Sequence, residues 1–375
     1  MKRKIISAVV LLFFLTGCAL LQKKGGEWEP GKPIAASKIK IAVVYINDPG
    51  TETSLYSYAH DVGIKEMQKA FSLTDEQIIN KYNVLDTDEL NVDATFRDCI
   101  AQGANVIFAT SWGFGTVCER LAQEFPKVIF AHASGAKSNE ANFTNYWGRI
   151  YQAWYLAGIA AGMKTESNKI GFVAAWGKTN AEVTCNVNAF ALGVEWVNKD
   201  AQIVVDVTNT WYDPMGETNA ARALIRAGCD VIAQNCDSAN PQLEAQKALV
   251  FGVGYNSDMG VEAPGAVLTS VVWRWGVYYR TVMQSIIDGT FTTKPYYGGL
   301  ADGMVDITPL ADFASPLTAY EIVAARMMLT TNSFAVFQDV LKTNDGTVVG
   351  TDGERFPDEV IREGMNWYYH NVIQQ

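Results

Sequence analysis

The sequence is poor in the residues and motifs on which most metal sites and enzymes depend. It has only three histidines, His60, His132 and His370, and none of its six cysteines lies in a Cys-x-x-Cys pair. A zinc site is therefore not expected. The sequence also lacks G-x-S-x-G, H-E-x-x-H and P-loop motifs, and no G-x-G-x-x-G follows its first predicted strand. We therefore expect no metal, no cofactor and no enzymatic activity.

Positive charge and long apolar runs are scarce as well. The formal net charge is −10, which argues against a nucleic acid or an anionic bilayer surface as partner, because both attract positive charge. The apolar run from Ile5 to Leu15 is too short for a transmembrane helix, which needs about 20 residues. It follows Lys2, Arg3 and Lys4, and this order is typical of an export signal.

The end of the apolar run, Leu15-Thr16-Gly17-Cys18, resembles a bacterial lipobox. Residues 1–17 are then a lipoprotein signal peptide, and Cys18 is the lipidated residue that begins the mature chain. Acyl chains contribute about 0.8 kcal/mol per buried CH₂, so several on one cysteine would anchor a protein to the cell membrane on its extracytoplasmic face. Residues 18–38 have the composition of a flexible tether. An ordinary secretory signal with a chance cysteine is the alternative.

Without Cys18, five cysteines remain. Cys99 and Cys229 lie in apolar stretches, and we expect them to be buried free thiols. Cys229 and Cys236 flank one short predicted strand, so a disulfide between them stays open.

From residue 38 onward, short apolar strands alternate with amphipathic helices, which predicts βαβ units and parallel sheets covered on both faces. The sequence predicts strands at 40–46, 105–109, 128–131, 169–175, 202–207, 230–233, 249–253 and 266–270, and helices at 54–71, 117–125, 151–163, 186–198, 218–227 and 273–287. This total exceeds one sheet. We therefore predict an α/β protein of two Rossmann-like lobes, approximately 39–150 plus 266–310 and 151–265 plus 311–375.

Large aromatic, amide and carboxylate side chains recur just after the predicted strands, where open α/β sheets bind ligands. Tryptophan and tyrosine offer faces for stacking, and Asn and Asp offer hydrogen bonds to the edge of a planar ring. Packing in the core is the alternative for any single tryptophan. The pattern favours a flat ligand rich in heteroatoms, and its members include Tyr56, Trp112, Trp176, Trp211, Asn235, Asp237, Asn256 and Trp273.

Several segments resemble the basic-membrane-protein family, the purine-nucleoside-receptor-like substrate-binding lipoproteins of ABC transporters. They are Tyr146–Arg149 with Tyr155–Gly162, Asn168–Val173, Gly193–Asn198, Ala227–Ile232, Val267–Ser270 and Leu341–Thr347. The resemblance covers nearly all of the chain after the tether. It implies a type I periplasmic-binding-protein fold with two lobes joined by a hinge. It also implies a purine ligand held between the lobes and an ABC permease as partner.

Two positions depart from the nucleoside-binding members of the family. Asn256 occupies the position of an Asp that holds the ribose in those members. Trp273 occupies the position of a Lys that comes shortly after their Thr-Ser segment. A bulky Trp would fill the space of a sugar, and the Trp-rich pattern is similar to a purine-base-binding branch. We therefore predict a free base, such as adenine, guanine or hypoxanthine, with a purine nucleoside as the alternative.

The resemblance also suggests roles for individual residues. Tyr56 is similar to the aromatic residue that stacks on the purine in the family. We expect Trp176 or Trp211 to cover the other face and Trp112 to line the wall of the first lobe. The edge contacts are assigned to Asn235, Asp237 and Asn256. His60 is a weaker candidate, since a histidine on the helix surface can instead hydrogen-bond local polar groups.

Three other readings stay open at this point. A lipid-anchored sensor that presents its ligand to a membrane receptor would have the same binding site. A different flat ligand, such as a flavin or a thiamine-like ring, would suit the same side chains. A glycosidase would need two paired carboxylates, for which Asp48, Asp213, Asp237 and Asp258 are the candidates.

Overall fold

The computed structural model describes residues 29–50 and 55–374. The signal segment, Cys18 and the first part of the tether lie outside these residues. The strands are β1 Ile41–Val44, β2 Ile78–Lys81, β3 Val106–Ala109, β4 Ile129–Ala133, β5 Phe143–Gly148, β6 Lys169–Ala174, β7 Gln202–Val207, β8 Val231–Gln234, β9 Phe251–Asn256, β10 Val267–Trp273, β11 Tyr296–Gly298, β12 Val305–Ile307, β13 Leu341–Lys342, β14 Val348–Val349 and β15 Val372–Gln374. The α-helices are α1 Leu55–Ala70, α2 Glu89–Ala101, α3 Gly115–Glu124, α4 Ile150–Lys164, α5 Ala181–Val197, α6 Pro214–Arg226, α7 Asn240–Lys247, α8 Trp275–Asp288 and α9 Pro316–Thr330.

The chain divides into two compact units. Among the described residues, the first contains 29–44, 73–145 and 285–294. Parallel pairing joins β1 to β2 and β3, and β3 to β4, in the strand order β2–β1–β3–β4. All residues of β1, β3 and β4 are buried, as expected for strands of a parallel sheet that is covered on both faces.

The second unit contains residues 45–72, 146–284 and 295–375. Its sheet has seven strands in the order β12–β10–β9–β8–β6–β7–β15. All neighbouring strands run parallel except β12, which is antiparallel to β10. The carboxyl ends of β10, β9, β8, β6 and β7 therefore lie along one edge of this sheet.

Helix α4 forms the core of the second unit and is buried without interruption from Ala153 to Gly162. Its small residues permit a close approach to α5, since a Cβ on Gly158 would collide with the backbone of Phe190. A Cβ on Gly193 of α5 would likewise collide with the backbone of Tyr155.

The predicted α/β class is confirmed, with parallel sheets and helices in alternation, but several elements differ in detail. Helix α5 begins at Ala181, five positions before the predicted start at 186. Trp273 is the last residue of β10, and α8 begins only at Trp275, so the prediction that Trp273 starts the helix is wrong. Helices α2, α7 and α9 were not predicted. In α9, apolar residues occur on every side, so its sequence has no clear helical period.

The described cysteines, Cys99, Cys118, Cys185, Cys229 and Cys236, are all buried and free. This confirms the expected free thiols at Cys99 and Cys229 and leaves no disulfide between Cys229 and Cys236. Within residues 29–50 and 55–374, no helix is both long enough and apolar enough to span a membrane.

Candidate functional site

Five of the residues singled out in the sequence lie at one edge of the seven-stranded sheet. Trp176 follows β6, Asn235 and Asp237 follow β8, Asn256 ends β9, and Trp273 ends β10. Strands β6, β8, β9 and β10 are consecutive neighbours in the sheet. The topology therefore brings together side chains that are far apart in sequence.

Trp211, which follows β7, lies at the same sheet edge. Its backbone carbonyl accepts a hydrogen bond from the backbone N–H of Asp237 at 2.8 Å. The bond between Asp237 and Trp211 ties the loop after β8 to the loop after β7. The side chain of Trp211 is half-buried.

The polar side chains at the sheet edge are connected by short hydrogen bonds. Asn256 Nδ2 donates to Asp237 Oδ1 at 2.8 Å, and Asn235 Oδ1 accepts from the backbone N–H of Ala175 at 2.9 Å. Asn256 has a φ of 68°, a left-handed conformation that Asn adopts more readily than most residues. These bonds fix the orientation of both amides, because a backbone N–H needs an acceptor and a carboxylate accepts from a donor.

At this sheet edge, three buried polar atoms of the residues named above have no hydrogen-bond partner in the described part of the chain. They are Asn235 Nδ2, Asn256 Oδ1 and Trp176 Nε1. Two of these atoms are donors and one is an acceptor. A ligand at this edge can therefore accept two hydrogen bonds and donate one.

Glu182, which the sequence analysis missed, lies close enough to Asp237 for their charges to interact. Burial and then the charge of Asp237 raise the pKa of Glu182 to about 8, and the charge of Arg362 opposes this shift. Burial raises the pKa of Asp237 to about 7, with the hydrogen bond from Asn256 opposing and Glu217 reinforcing the shift. Near neutral pH the two carboxyl groups, which we call the acid pair, can therefore both donate and accept hydrogen bonds.

A signal for Glu182 was present in the sequence. It is the second residue of α5 and comes six positions after Trp176. Acidic residues are favoured in the first turn of a helix by its dipole, and this turn follows β6 directly. Asn180, two positions before Glu182, caps the helix by accepting from the backbone N–H of Val183 at 3.1 Å.

Aromatic rings of the same unit form a compact group, the aromatic cluster, defined by Tyr56, His60, Trp147, Trp273 and Trp275. Trp273 stacks on Trp275 with ring centroids 4.6 Å apart, and Trp275 stacks on His60 at 4.1 Å. Tyr56 meets His60 edge-on at 4.6 Å. Trp147 packs against Trp273 at 4.6 Å and Trp275 at 5.4 Å.

Two members of the aromatic cluster differ from their expected surroundings. His60 is fully buried, so its interpretation as a histidine on the helix surface is wrong. Trp273 is also buried and donates from Nε1 to Tyr255 Oη at 3.3 Å. Trp275, which the sequence analysis did not single out, lies between Trp273 and His60 in the stack.

Tyr56 connects the aromatic cluster with the acid pair. It lies in the first turn of α1, and its side chain is half-buried. Burial raises its pKa well above the ordinary value, and the charges of Tyr146, Glu182 and Asp237 act in the same direction. The phenol of Tyr56 is therefore within electrostatic range of both carboxyl groups.

Trp112 belongs to the first unit and not to the second, which contains the residues described above. It begins a 3-10 turn after β3, and its side chain is 74% exposed. Asp86 Oδ2 holds this turn by accepting from Ser111 Oγ at 2.6 Å and from the backbone N–H of Gly113 at 3.3 Å. His132 Nε2 adds a bond of 2.8 Å to the Ser111 carbonyl. An exposed indole is thus presented by a well-ordered turn.

The four aspartates considered for a glycosidase do not form a common group at the sheet edge. Asp213 and Asp258 are exposed, and Asp258 Oδ1 accepts from the backbone N–H of Gly260 within its own turn at 3.0 Å. Asp48 Oδ1 accepts in the same way from Gly50 at 2.8 Å. Among the described residues no group of His, Cys, Asp and Glu could hold a metal ion.

Solved structures with a similar fold include solute-binding proteins of ABC transporters. One from Conexibacter woesei has a TM-score of 0.66 at 18% identity and covers 79% of this chain and 98% of its own. Another from Aeropyrum pernix has a TM-score of 0.67 at 16% identity and covers 80% of this chain and 94% of its own. At this level of identity the likeness concerns the fold, which is the type I periplasmic-binding-protein fold.

The family model for the PnrA-like substrate-binding proteins of ABC transporters, named Bmp, matches residues 39–326. The chain therefore belongs to this family of substrate-binding proteins, as its resemblance to the basic membrane proteins implied. A Brucella abortus protein named a purine-binding protein is 29% identical over 343 residues, which is 91% of this chain and 95% of the relative. A Haloferax volcanii protein provisionally named an ABC transporter glucose-binding protein is 33% identical over 292 residues, 78% of this chain and 71% of the relative.

Proposed function

We propose that this substrate-binding protein captures a free purine base, such as adenine, guanine or hypoxanthine, for an ABC importer. One observation carries the proposal: the unpartnered buried atoms Asn235 Nδ2, Asn256 Oδ1 and Trp176 Nε1 lie at the same sheet edge as Asp237. A purine base has ring nitrogens and exocyclic groups that both donate and accept around its edge. It can therefore pair all three atoms and still offer a flat face for stacking.

The preference for a base over a nucleoside rests on Trp273 and Asn256. Trp273 replaces the Lys of nucleoside-binding members, and its indole is buried against Trp275 and Trp147. An indole has no charge with which to bind ribose hydroxyls. Asn256 replaces the ribose-binding Asp and donates its amide hydrogen to Asp237. Both changes remove groups that would hold a sugar.

A sugar is the second candidate ligand, because the Haloferax volcanii relative is named as a glucose-binding protein. The amide of Asn256 and the carboxyl group of Asp237 can also bind neighbouring hydroxyl groups. A sugar would gain less from stacked indoles than a planar ring, since its faces carry C–H groups and not a π-system. We therefore place the purine base first.

We further propose that the protein is held on the extracytoplasmic face of the cell membrane by lipid on Cys18, which lies outside the described residues. Its partners would be a purine ligand and the permease of an ABC importer. The sensor alternative stays open and would use the same site. Mass spectrometry of the protein purified from membranes tests the anchor, since a mature chain that begins at an acylated Cys18 is expected. An unmodified mature N-terminus would contradict this part of the proposal.

The central experiment is isothermal titration calorimetry with adenine, hypoxanthine, guanine, adenosine and glucose. We expect a base to bind with a Kd at least about tenfold lower than that of adenosine, a difference of about 1.4 kcal/mol. Glucose is expected to give no measurable heat. Tighter binding of adenosine would overturn the preference for a base, and tighter binding of glucose would replace the purine with a sugar.

A matched pair of variants tests the role of Trp273. Trp273→Ala opens space beside Trp275, and we expect it to reduce the ratio of adenosine Kd to adenine Kd by about fivefold or more. The control is Trp196→Ala, which removes a partly exposed indole from α5. An unchanged ratio in Trp273→Ala would mean that this indole does not exclude the sugar.

A further inference from the structure

A chain of three hydrogen-bonding side chains ends at a buried ring nitrogen beside Tyr56. Tyr146 Oη lies 3.0 Å from Tyr279 Oη, and Tyr279 Oη lies 2.6 Å from His60 Nδ1. The other ring nitrogen, His60 Nε2, is buried and has no hydrogen-bond partner among the described residues. The polar chain therefore has one unsatisfied end.

His60 can present either a donor or an acceptor at that end. Burial lowers its pKa well below the ordinary value, so the ring is neutral and carries one proton on one of its two nitrogens. If Tyr279 donates to Nδ1, the proton lies on Nε2, which is then a donor. If Nδ1 carries the proton and donates to Tyr279, Tyr279 can donate to Tyr146, and Nε2 is then an acceptor.

The two arrangements differ only in hydrogen positions. A phenol hydroxyl donates one hydrogen bond and also accepts, so Tyr279 can either donate to His60 and accept from Tyr146, or accept from His60 and donate to Tyr146, without movement of a heavier atom. A histidine held by a backbone carbonyl or a carboxylate would be locked in one tautomer. The tyrosine pair leaves both tautomers accessible.

The position of His60 joins this chain to the proposed purine site. Its ring stacks on Trp275 at 4.1 Å and meets Tyr56 edge-on at 4.6 Å. Tyr56 is in turn within electrostatic range of Glu182 and Asp237. The His60 ring is thus part of the aromatic cluster that also contains Tyr56 and Trp273.

We propose that His60 Nε2 hydrogen-bonds the bound base and that the Tyr146–Tyr279 pair lets it match either a 6-amino or a 6-oxo purine. This inference rests on the proposed function and adds a specificity-determining residue to it. Adenine and hypoxanthine have opposite hydrogen-bonding polarity at both N1 and position 6. A group fixed as donor or as acceptor would favour one of them, because the other would leave a buried polar group unpaired.

The test begins with the wild-type protein bound to adenine and to hypoxanthine. We expect the two Kd values to lie within about tenfold of each other. Nitrogen-15 NMR of the His60 ring should show opposite tautomers in the two complexes. The same tautomer in both complexes would overturn the proposal.

The second measurement uses Tyr279→Phe, in which Nδ1 loses its partner and the tautomers are no longer balanced. We expect the ratio of the two Kd values to change by about tenfold or more, with one base bound nearly as in the wild type. The matched control is Tyr278→Phe, because the Tyr278 ring also packs on Tyr146, at 4.0 Å, and its hydroxyl has no partner among the described residues. It should leave the ratio unchanged.

Equal weakening of both bases in Tyr279→Phe would mean that Tyr279 has only a structural role, and would overturn the inference while the proposed function stands. If Tyr279→Phe does not fold, the NMR comparison in the wild type decides alone. If the wild type binds neither base, the proposed function fails and this inference fails with it.

Discussion

At the scale of single residues, the second unit leaves buried hydrogen-bonding groups unpaired where most proteins pair them. An unpaired buried donor or acceptor costs about 1–3 kcal/mol. Asn235 and Asn256 each have one such atom, although each uses its other amide atom in a well-formed bond. Local rules of this kind are most often broken at functional sites. The unpaired atoms of Asn235 and Asn256 therefore support the proposal that a ligand binds at this sheet edge.

Asp237 provides a test of how burial affects stability at this site. Its pKa is raised from 3.8 to about 7 in the folded protein, so the folded state retains a proton that the unfolded state loses between about pH 4 and pH 7. The folded state therefore loses stability as the pH rises through this range, and the loss is complete above it. Asp237→Asn removes this effect, and we expect the variant to be at least about 1 kcal/mol more stable than the wild type at pH 8.

The expected gain should vanish near pH 4, where both states of the wild type hold the proton. Urea unfolding followed by tryptophan fluorescence at pH 4, 6 and 8 measures it. The control is Asp200→Asn at an exposed position, which should show no pH-dependent difference. A stability difference for Asp237→Asn that does not grow with pH would show that Asp237 is not protonated at neutral pH.

At the scale of elements, the close packing of two helices, α4 and α5, bears on the geometry of the candidate site. Helix α4 approaches α5 through Gly158 and Gly193, where no Cβ can be accommodated. Helix α5 begins at Ala181 and carries Glu182 in its first turn. The packing of α4 on α5 thus helps to set the position of a carboxyl group in the acid pair.

Gly158 provides a test at this scale. Replacing glycine with alanine in a helix usually stabilises it by about 1 kcal/mol. We expect the opposite sign for Gly158→Ala, a loss of about 1–3 kcal/mol, because the new Cβ would overlap the Phe190 carbonyl. Gly177→Ala is the control, since the nearest atoms to its Cβ lie at 3.8 Å or more. Urea unfolding of both variants measures the difference, and a stabilising Gly158→Ala would contradict this account of the helix contact.

At the scale of the whole molecule, the chain belongs to a family of substrate-binding proteins of ABC transporters. Such a protein binds its ligand in the folded state only, so free ligand adds RT ln(1 + [L]/Kd) to the free energy of unfolding. At a concentration of 100 Kd this is about 2.7 kcal/mol. Binding without chemical change would also distinguish it from an enzyme.

We expect adenine or hypoxanthine to raise the Tm by several degrees in a concentration-dependent manner. Differential scanning fluorimetry of the intrinsic tryptophans measures this shift. Chromatography after a long incubation with adenine, hypoxanthine or adenosine should return each compound unchanged. If none of the purines changes the Tm, the purine assignment is contradicted. Release of a free base from adenosine would identify an enzyme.

Strands β1, β3, β4 and β6 to β10, and the residues that follow them, could be predicted from the sequence. Buried parallel strands appear as continuous apolar runs such as Ile41–Val44, and the chain must leave the sheet where these runs end. Trp176, Asn235 and Asp237 were therefore predictable as residues of a strand exit. The fold class followed from the same alternation of strands and helices.

Only the tertiary structure decided which of these residues meet and which others join them. Glu182, Trp275 and the buried state of His60 depend on packing between segments that are far apart in sequence, and no local pattern encodes such contacts. Likewise, the end of β10 at Trp273 is set by its pairing with β9 and β12. Local sequence indicates which segments form buried strands, whereas long-range pairing and packing determine where those strands end and what surrounds their ends.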